Sequence, residues 1–123
     1  MNTENKIFIT GANGWLGRNL LEYLEDKNTE MGLIYTLLVE KGDDISFLKN
    51  LSINKNFIFG DIRKLNDCKK FLKNSEHSTV IHLAGIIHPK KVKDFEEINY
   101  LGTKNIAHVC LNNNIKKLIY LSS

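Results

Sequence analysis

A strand that breaks off into glycines spaced three and three apart, then resumes as a helix, leaves a chain few folds to choose from. Lys6 to Thr10 (KIFIT) is a short β-branched and aromatic run, and Gly11-Ala12-Asn13-Gly14-Trp15-Leu16-Gly17 follows it at once. A run without polar alternation suits a strand buried on both faces. After Gly11 the period changes. Leu16, Leu20 and Leu24 recur every four residues with Arg18, Glu22 and Glu25 between them, which predicts an amphipathic helix from about Gly14 to Lys27. At such a junction the first glycine permits a tight turn, the second lets backbone approach a pyrophosphate, and the third packs the helix closely on the sheet. The N–H groups at the helix start then face the phosphates, where the helix dipole adds attraction.

The rest of the chain repeats this alternation. Ile34 to Val39 reads as a second strand, Ile45 to Leu51 as a short helix or irregular crossing, and Phe57 to Phe59 as a third strand. A helix is expected from about Asn66, acting as its N-cap, through Cys68, Phe71 and Leu72, followed by a fourth strand from Thr79 to Ala84. Asp94 to Leu111 makes the longest helix, ended by Asn112, Asn113 and Asn114, and Leu118 to Leu121 a fifth strand. Strand–helix alternation with right-handed crossovers stacks the strands into a parallel sheet with helices on both faces. The expected fold is therefore α/β, a doubly wound parallel sheet of order 3-2-1-4-5, in one domain over residues 1–123.

Composition narrows the partners. With 42% apolar and 25% charged residues and a single proline, the chain belongs among globular proteins rather than disordered ones. Its 17 Lys+Arg against 14 Asp+Glu are scattered rather than gathered in a stripe, so nucleic acid is not the expected partner. Cys68 and Cys110 lie 42 positions apart without CxxC spacing and read as reduced, mostly buried thiols. His82 and His88 find no carboxylate or cysteine at ligand spacing, so no metal site is expected, and His82 reads as a satisfied strand histidine. The polar start and the absence of a long apolar run predict a soluble, cytoplasmic protein with no membrane segment.

Glu40 closes the second strand 23 residues after Gly17, near the offset at which an acid accepts hydrogen bonds from the adenosine ribose hydroxyls of NAD. It would repel a 2′-phosphate. Lys41 beside it could instead hold one, so NADP stands as the alternative cofactor.

Five segments in order resemble the short-chain dehydrogenase/reductase superfamily, in its extended branch of NAD-dependent epimerases and dehydratases. Thr10 to Gly17 matches TGxxGxxG; Gly60-Asp61-Ile62 matches the segment whose acid binds the adenine edge; His82-Leu83-Ala84-Gly85 looks like the HLAA/HLAG stretch lining the cofactor. Asn99-x-x-Gly102-Thr103-x-Asn105 resembles the NxxGTxN signature, and Tyr120-Leu121-Ser122-Ser123 the strand that delivers the catalytic serine. The resemblance spans essentially the whole chain and implies a Rossmann-type fold.

It further implies that Gly11, Gly14, Trp15, Leu16 and Gly17 form the pyrophosphate loop, with backbone at Gly14, Trp15 and Leu16 holding the phosphates. Asp61 and Ile62 would hold the adenine; Leu83, Ala84 and Gly85 would line the cofactor, with Ala84 and Gly85 on the nicotinamide side; and Asn99 would orient active-site backbone and water. Trp15 would be a hydrophobic cover on the cofactor. Ser123 aligns with the serine that hydrogen-bonds the substrate oxygen. In the family a Tyr-x-x-x-Lys pair follows that serine, and none follows Ser123 here. Tyr23/Lys27 and Tyr100/Lys104 have that spacing but precede the serine strand, so both read as surface helix pairs. The implied function is the NAD-binding part of an epimerase, dehydratase or reductase acting on a nucleotide-linked sugar; the rival is a non-catalytic dinucleotide-binding regulatory or interaction module. The 123 residues are expected to bind cofactor without turnover, and to dimerise or aggregate through the apolar edge of the fifth strand.

Overall fold

A computed structural model of the chain describes residues 5–27, 32–84 and 96–121. The elements in order are β1 (Lys6–Thr10), α1 (Trp15–Lys27), β2 (Ile34–Val39), α2 (Ser46–Lys49), β3 (Asn54–Phe59), α3 (Leu65–Phe71) and β4 (Thr79–His82). A π-helical stretch, Glu96–Gly102, then runs into α4 (Thr103–Asn112), and β5 (Lys117–Tyr120) ends the sheet. The five strands stand in the order β3-β2-β1-β4-β5, every pairing parallel, as the alternation of elements predicts.

β1 lies at the centre, with Thr10 level with Leu38 on one side and His82 on the other. Because successive side chains point to opposite faces, an unbroken apolar run feeds two cores. Phe8, Leu38 and Val80 point to one face and pack with Phe71, Ile106 and Val109 of α3 and α4; Phe8 and Phe71 meet edge to face at 5.7 Å. Ile9, Leu37 and Val39 point to the other and pack with Leu21 of α1 and Leu48 of α2. Cys68 and Cys110 are buried and unpaired in the first core, where burial pushes their thiols up to about 12 and about 11. Among the described residues no helix is long and apolar enough to cross a membrane.

Besides shifts of one or two residues at α2 and β5, four boundaries differ from the sequence reading, each for a local reason. β3 begins at Asn54, not Phe57, since on an edge strand Asn54 and Asn56 can face solvent while their backbone pairs with β2. α3 starts at Leu65 with Lys64 before it, and Asn66 lies inside the helix without capping it. β4 ends at His82: the Leu83 N–H is shared between the Thr10 carbonyl and hydroxyl, each at 3.1 Å, and the Ala84 N–H goes to the hydroxyl at 3.1 Å instead of to a strand carbonyl. The long helix, whose expected start at Asp94 lies outside the described residues, is π-helical over Glu96–Gly102 and α-helical only from Thr103, a change of winding too short to alter the apolar period.

Candidate cofactor site

In a parallel sheet all carboxyl ends of the strands share one edge, and here that edge carries a groove of about 340 Å³. It runs across the sheet from Gly60 after β3 and Glu40 after β2, past Gly11 and Gly14 after β1, to Ala84 after β4.

The glycine turn is built from the chain's own contacts. Gly11 takes φ +73°, a left-handed conformation that a Cβ disfavours, and a Cβ there would stand 2.6 Å from Ala84 N. The Gly14 N–H donates to the Gly11 carbonyl at 3.1 Å and closes the turn, while the Gly14 carbonyl accepts the Arg18 N–H at 2.9 Å as the first helical bond. Helical geometry leaves the N–H groups of Trp15, Leu16 and Gly17 without intrahelical acceptors. A Cβ on Gly17 would fall 2.3 Å from the Gly11 carbonyl oxygen, whereas one on Gly14 would meet nothing closer than 3.4 Å. Gly17 thus serves the fold, and Gly14 keeps a face open. Trp15 is 81% exposed beside the turn.

A brace that sequence reading missed holds the loop from outside. Arg18 donates from Nε to the Asn13 carbonyl at 2.9 Å and from Nη2 to Asn13 Oδ1 at 3.0 Å, and lies 5.4 Å from the Phe47 ring centroid. Asn13 Nδ2 donates to the Asp44 carbonyl at 3.0 Å. No local signal announces it, because Asn13 and Asp44 are 31 positions apart.

Beyond β2, the Glu40 N–H donates to Asp43 Oδ2 at 3.1 Å, and the Asp43 N–H returns to the Glu40 carbonyl at 3.1 Å across Gly42, whose φ is +93°. Partial burial, followed by the charges of Asp43 and Asp61, raises the Glu40 carboxyl above its ordinary value, and Arg63 opposes them. Asp43 joins Glu40 in lining the groove, another residue the sequence reading passed over.

The Gly60-Asp61-Ile62 segment is held from two sides. Arg63 grips the Asp61 carboxylate, with Nη2 2.7 Å from Oδ2, and reaches Glu97 Oε2 at 3.3 Å. Hydrogen bonding to that guanidinium holds Asp61 below the usual carboxylate range. The Asp61 N–H donates to Asp67 Oδ2 at 2.9 Å. The Ile62 carbonyl accepts Asn105 Nδ2 at 2.9 Å and Cys68 Sγ at 3.3 Å. Gly102 matters for the same segment, since a Cβ on it would meet Ile62 Cδ1 at 2.4 Å. The Gly102-Thr103-x-Asn105 signature therefore seats Ile62 against the groove. Asn99 lies half-buried in the π-helical stretch beside Ile98, which lines the groove.

Of the sequence-predicted site residues, Gly11, Gly14, Glu40, Ile62 and Ala84 line the groove, and Trp15, Leu16, Gly17, Asp61, Leu83 and Asn99 flank it. Gly85, His88 and Ser123 lie outside the described residues. Tyr23 and Tyr100 are exposed, 60% and 68%, with Lys27 Nζ 5.7 Å from the Tyr23 ring centroid. The residues present fit a dinucleotide: an open glycine turn at a helix start, an acid at the end of β2 for a ribose, and apolar Leu38, Val39, Ile62 and Ile98 around a cleft for a flat ring.

Comparison with known proteins agrees with this geometry. The chain is 34% identical over 123 residues to the uncharacterized protein y4nL of Sinorhizobium fredii, covering 95% of this chain and 34% of that one. It is 28% identical to the UDP-glucose 4-epimerase of Pisum sativum, covering 98% and 37%. The chain thus spans about a third of the length of the curated relatives it matches. Uronate dehydrogenase from Agrobacterium tumefaciens superposes with a TM-score of 0.75 at 21% identity, over 99% of this chain and 42% of that one. The family model described as the NAD dependent epimerase/dehydratase family matches residues 7–123, nearly the entire length, and to that family the chain belongs.

Proposed function

We propose that these residues are the NAD-binding part of an oxidoreductase of the epimerase/dehydratase type whose substrate is a nucleotide-linked sugar. The observation that carries the reading is the groove itself, with the glycine turn at its middle and the Glu40 carboxylate at one end. The N–H groups of Trp15 and Leu16 would hold the pyrophosphate, and Gly14, lacking a side chain, would let it approach. Glu40 would accept from the adenosine ribose diol and favour NAD over NADP. Asp61 and Ile62 would hold the adenine, Leu83, Ala84 and Gly85 would line the other half, and Asn99 would orient backbone there. NAD, when bound, supplies the hydride acceptor.

Catalysis calls for more than cofactor. Ser123 follows β5, whose carboxyl end shares the groove's edge, and in this reading it orients the substrate oxygen. A nucleotide-sugar substrate is supported by the family and by relatives such as the pea UDP-glucose 4-epimerase. The proposal includes a cytoplasmic setting and self-association through β5. The 123-residue chain, mixed with NAD and a panel of UDP-, dTDP- and CDP-hexoses, is expected to bind NAD saturably and form no fluorescent NADH. Failure to bind NAD overturns the cofactor reading. NADH formation abolished by Tyr100→Phe or Tyr23→Phe would show that one of the exposed Tyr/Lys pairs is catalytic.

A further inference from the structure

His82 is buried, 1% exposed, at the last position of β4, and its ring touches three other elements. Nδ1 stands 2.6 Å from Thr10 Oγ1 at the end of β1, Nε2 stands 2.9 Å from Thr103 Oγ1 at the start of α4, and the ring stacks on Tyr120 of β5 with centroids 5.5 Å apart.

Proton counting fixes the ring's state. A threonine hydroxyl has two lone pairs and one proton. Thr10 Oγ1 accepts the Ala84 N–H at 3.1 Å and shares the Leu83 N–H, also at 3.1 Å, with the Thr10 carbonyl. With two amides aimed at the oxygen, its proton is directed to His82 Nδ1, 2.6 Å away. The ring is then the neutral Nε2–H tautomer, and it donates to Thr103. Burial agrees, holding the imidazole down to about 4. A proton on Nδ1 would face the Thr10 hydroxyl donor and turn it away from the two amides.

We propose that His82 is a positioning residue: through the Thr10 hydroxyl it sets where the backbone of Leu83 and Ala84 stands, and through Thr103 it ties that backbone to the helix behind the groove. The proposal rests on the cofactor reading given above. If the ribose diol lies at Glu40 and the phosphates at the glycine turn, the sheet order puts the second half of the dinucleotide on the β4 side of β1, where the groove reaches Ala84. Ala84 lines the groove there, so the aim of its backbone is set by a histidine that is buried and lies outside the groove lining.

Three variants separate positioning from bulk stability. Thr103→Val keeps the shape of a half-buried residue and removes the acceptor, Thr103→Ser should restore it, and His82→Phe keeps the stack on Tyr120 while removing both hydrogen bonds. In the ligand-free chain, amide hydrogen exchange at Leu83 and Ala84 should quicken about tenfold in Thr103→Val and His82→Phe, with the amides of β1 and β2 unchanged. In titrations, ADP should bind each variant within about twofold of the unaltered chain, while NAD loses about tenfold, the loss of one hydrogen bond's worth of placement. Thr103→Ser should return both readouts. Equal quickening of all amides, equal losses for ADP and NAD, or an unchanged NAD-to-ADP ratio would each overturn the proposal. An unaltered chain that binds neither ADP nor NAD overturns the cofactor reading and the ligand role with it, and does so in a control no variant enters.

Discussion

Gly14 and Gly17 are both glycines of one loop, yet the geometry assigns them opposite fates on substitution. A methyl at Gly17 would sit 2.3 Å from the Gly11 carbonyl oxygen and 2.7 Å from Ala12 Cα, atoms of the backbone that cannot swing aside. Against rigid backbone at 2.3 Å the overpacking cost falls at the upper end of its usual range, about 3 kcal/mol, offset by about 1 kcal/mol of helix propensity gained over glycine. Gly17→Ala should thus lose about 2 kcal/mol, a fall in Tm of roughly 8 °C at this chain length. A methyl at Gly14 meets only the Gly11 oxygen at 3.4 Å, an ordinary contact. Its carbonyl accepts the first helical bond, so the residue is the N-cap of α1, and alanine there costs about 0.5–1 kcal/mol. Binding is a different matter, because that methyl would occupy the face through which, in the proposed reading, a pyrophosphate reaches the amides of Trp15 and Leu16. Loss of one charge-assisted hydrogen bond, about 1.5–3 kcal/mol, is roughly a 10- to 150-fold weaker affinity. Thermal melts followed by circular dichroism, with NAD titrations below each Tm, read the two effects apart. Gly14→Ala melting within a few degrees of the unaltered chain and binding NAD equally well would mean that no phosphate lies against this turn.

Glu40→Arg should reverse the preference between NAD and NADP, since a carboxylate matches a diol and repels a phosphate by about 1–3 kcal/mol; the ratio of the two dissociation constants checks this. Tighter NADP binding in the unaltered chain would point to Lys41 instead. Acid should weaken the fold through His82, whose ring faces the Thr10 and Thr103 hydroxyls and the Tyr120 ring: its folded value of about 4 lies below the ordinary 6.5. The unfolded chain then takes up a proton first, so stability is full above pH 6.5 and falls by about 3 kcal/mol on the way to pH 4. The raised Glu40 carboxyl acts in the opposite sense over part of that window, and comparison with His82→Phe, which should lack the His82 component, isolates the effect by denaturant melts at each pH. β5 lies at a sheet edge and exposes Leu118, Ile119 and Tyr120, so sedimentation velocity on the 123-residue chain should show dimers or larger species, and a monodisperse monomer would refute pairing through that edge.

The sheet order was legible because each strand contains a short apolar run that stands out locally, ended at β1, β2 and β3 by Gly11, Glu40 and Gly60, and because parallel crossovers have one hand. The groove was legible in the same way at Gly11, Gly14, Glu40, Ile62 and Ala84, which sit at strand ends. What escaped were contacts between distant positions. Arg63 tying Asp61 to Glu97, Asn13 reaching Asp44 and Asn105 holding the Ile62 carbonyl each join separate elements, and nothing in the spacing of either partner reports the other. The π-helical winding of Glu96–Gly102 escaped for a different reason: over seven residues its apolar positions fall close to those of an α-helix. His82 reads from sequence as a satisfied strand histidine, and it is one, but its tautomer follows only from the Thr10 hydroxyl and the amides that face it, contacts across 72 to 74 positions.

The cofactor reading and the role given to His82 both depend on NAD lying in the groove across the carboxyl ends of β3, β2, β1 and β4. Titration of the isotope-labelled 123-residue chain with NAD, followed by amide NMR shifts, reads that placement residue by residue. Saturable shifts are expected at Gly11 to Leu16, Glu40, Ile62 and Ala84, with the amides of α2 and the body of β5 still. Shifts confined to other surfaces, or none at saturating NAD, would contradict it.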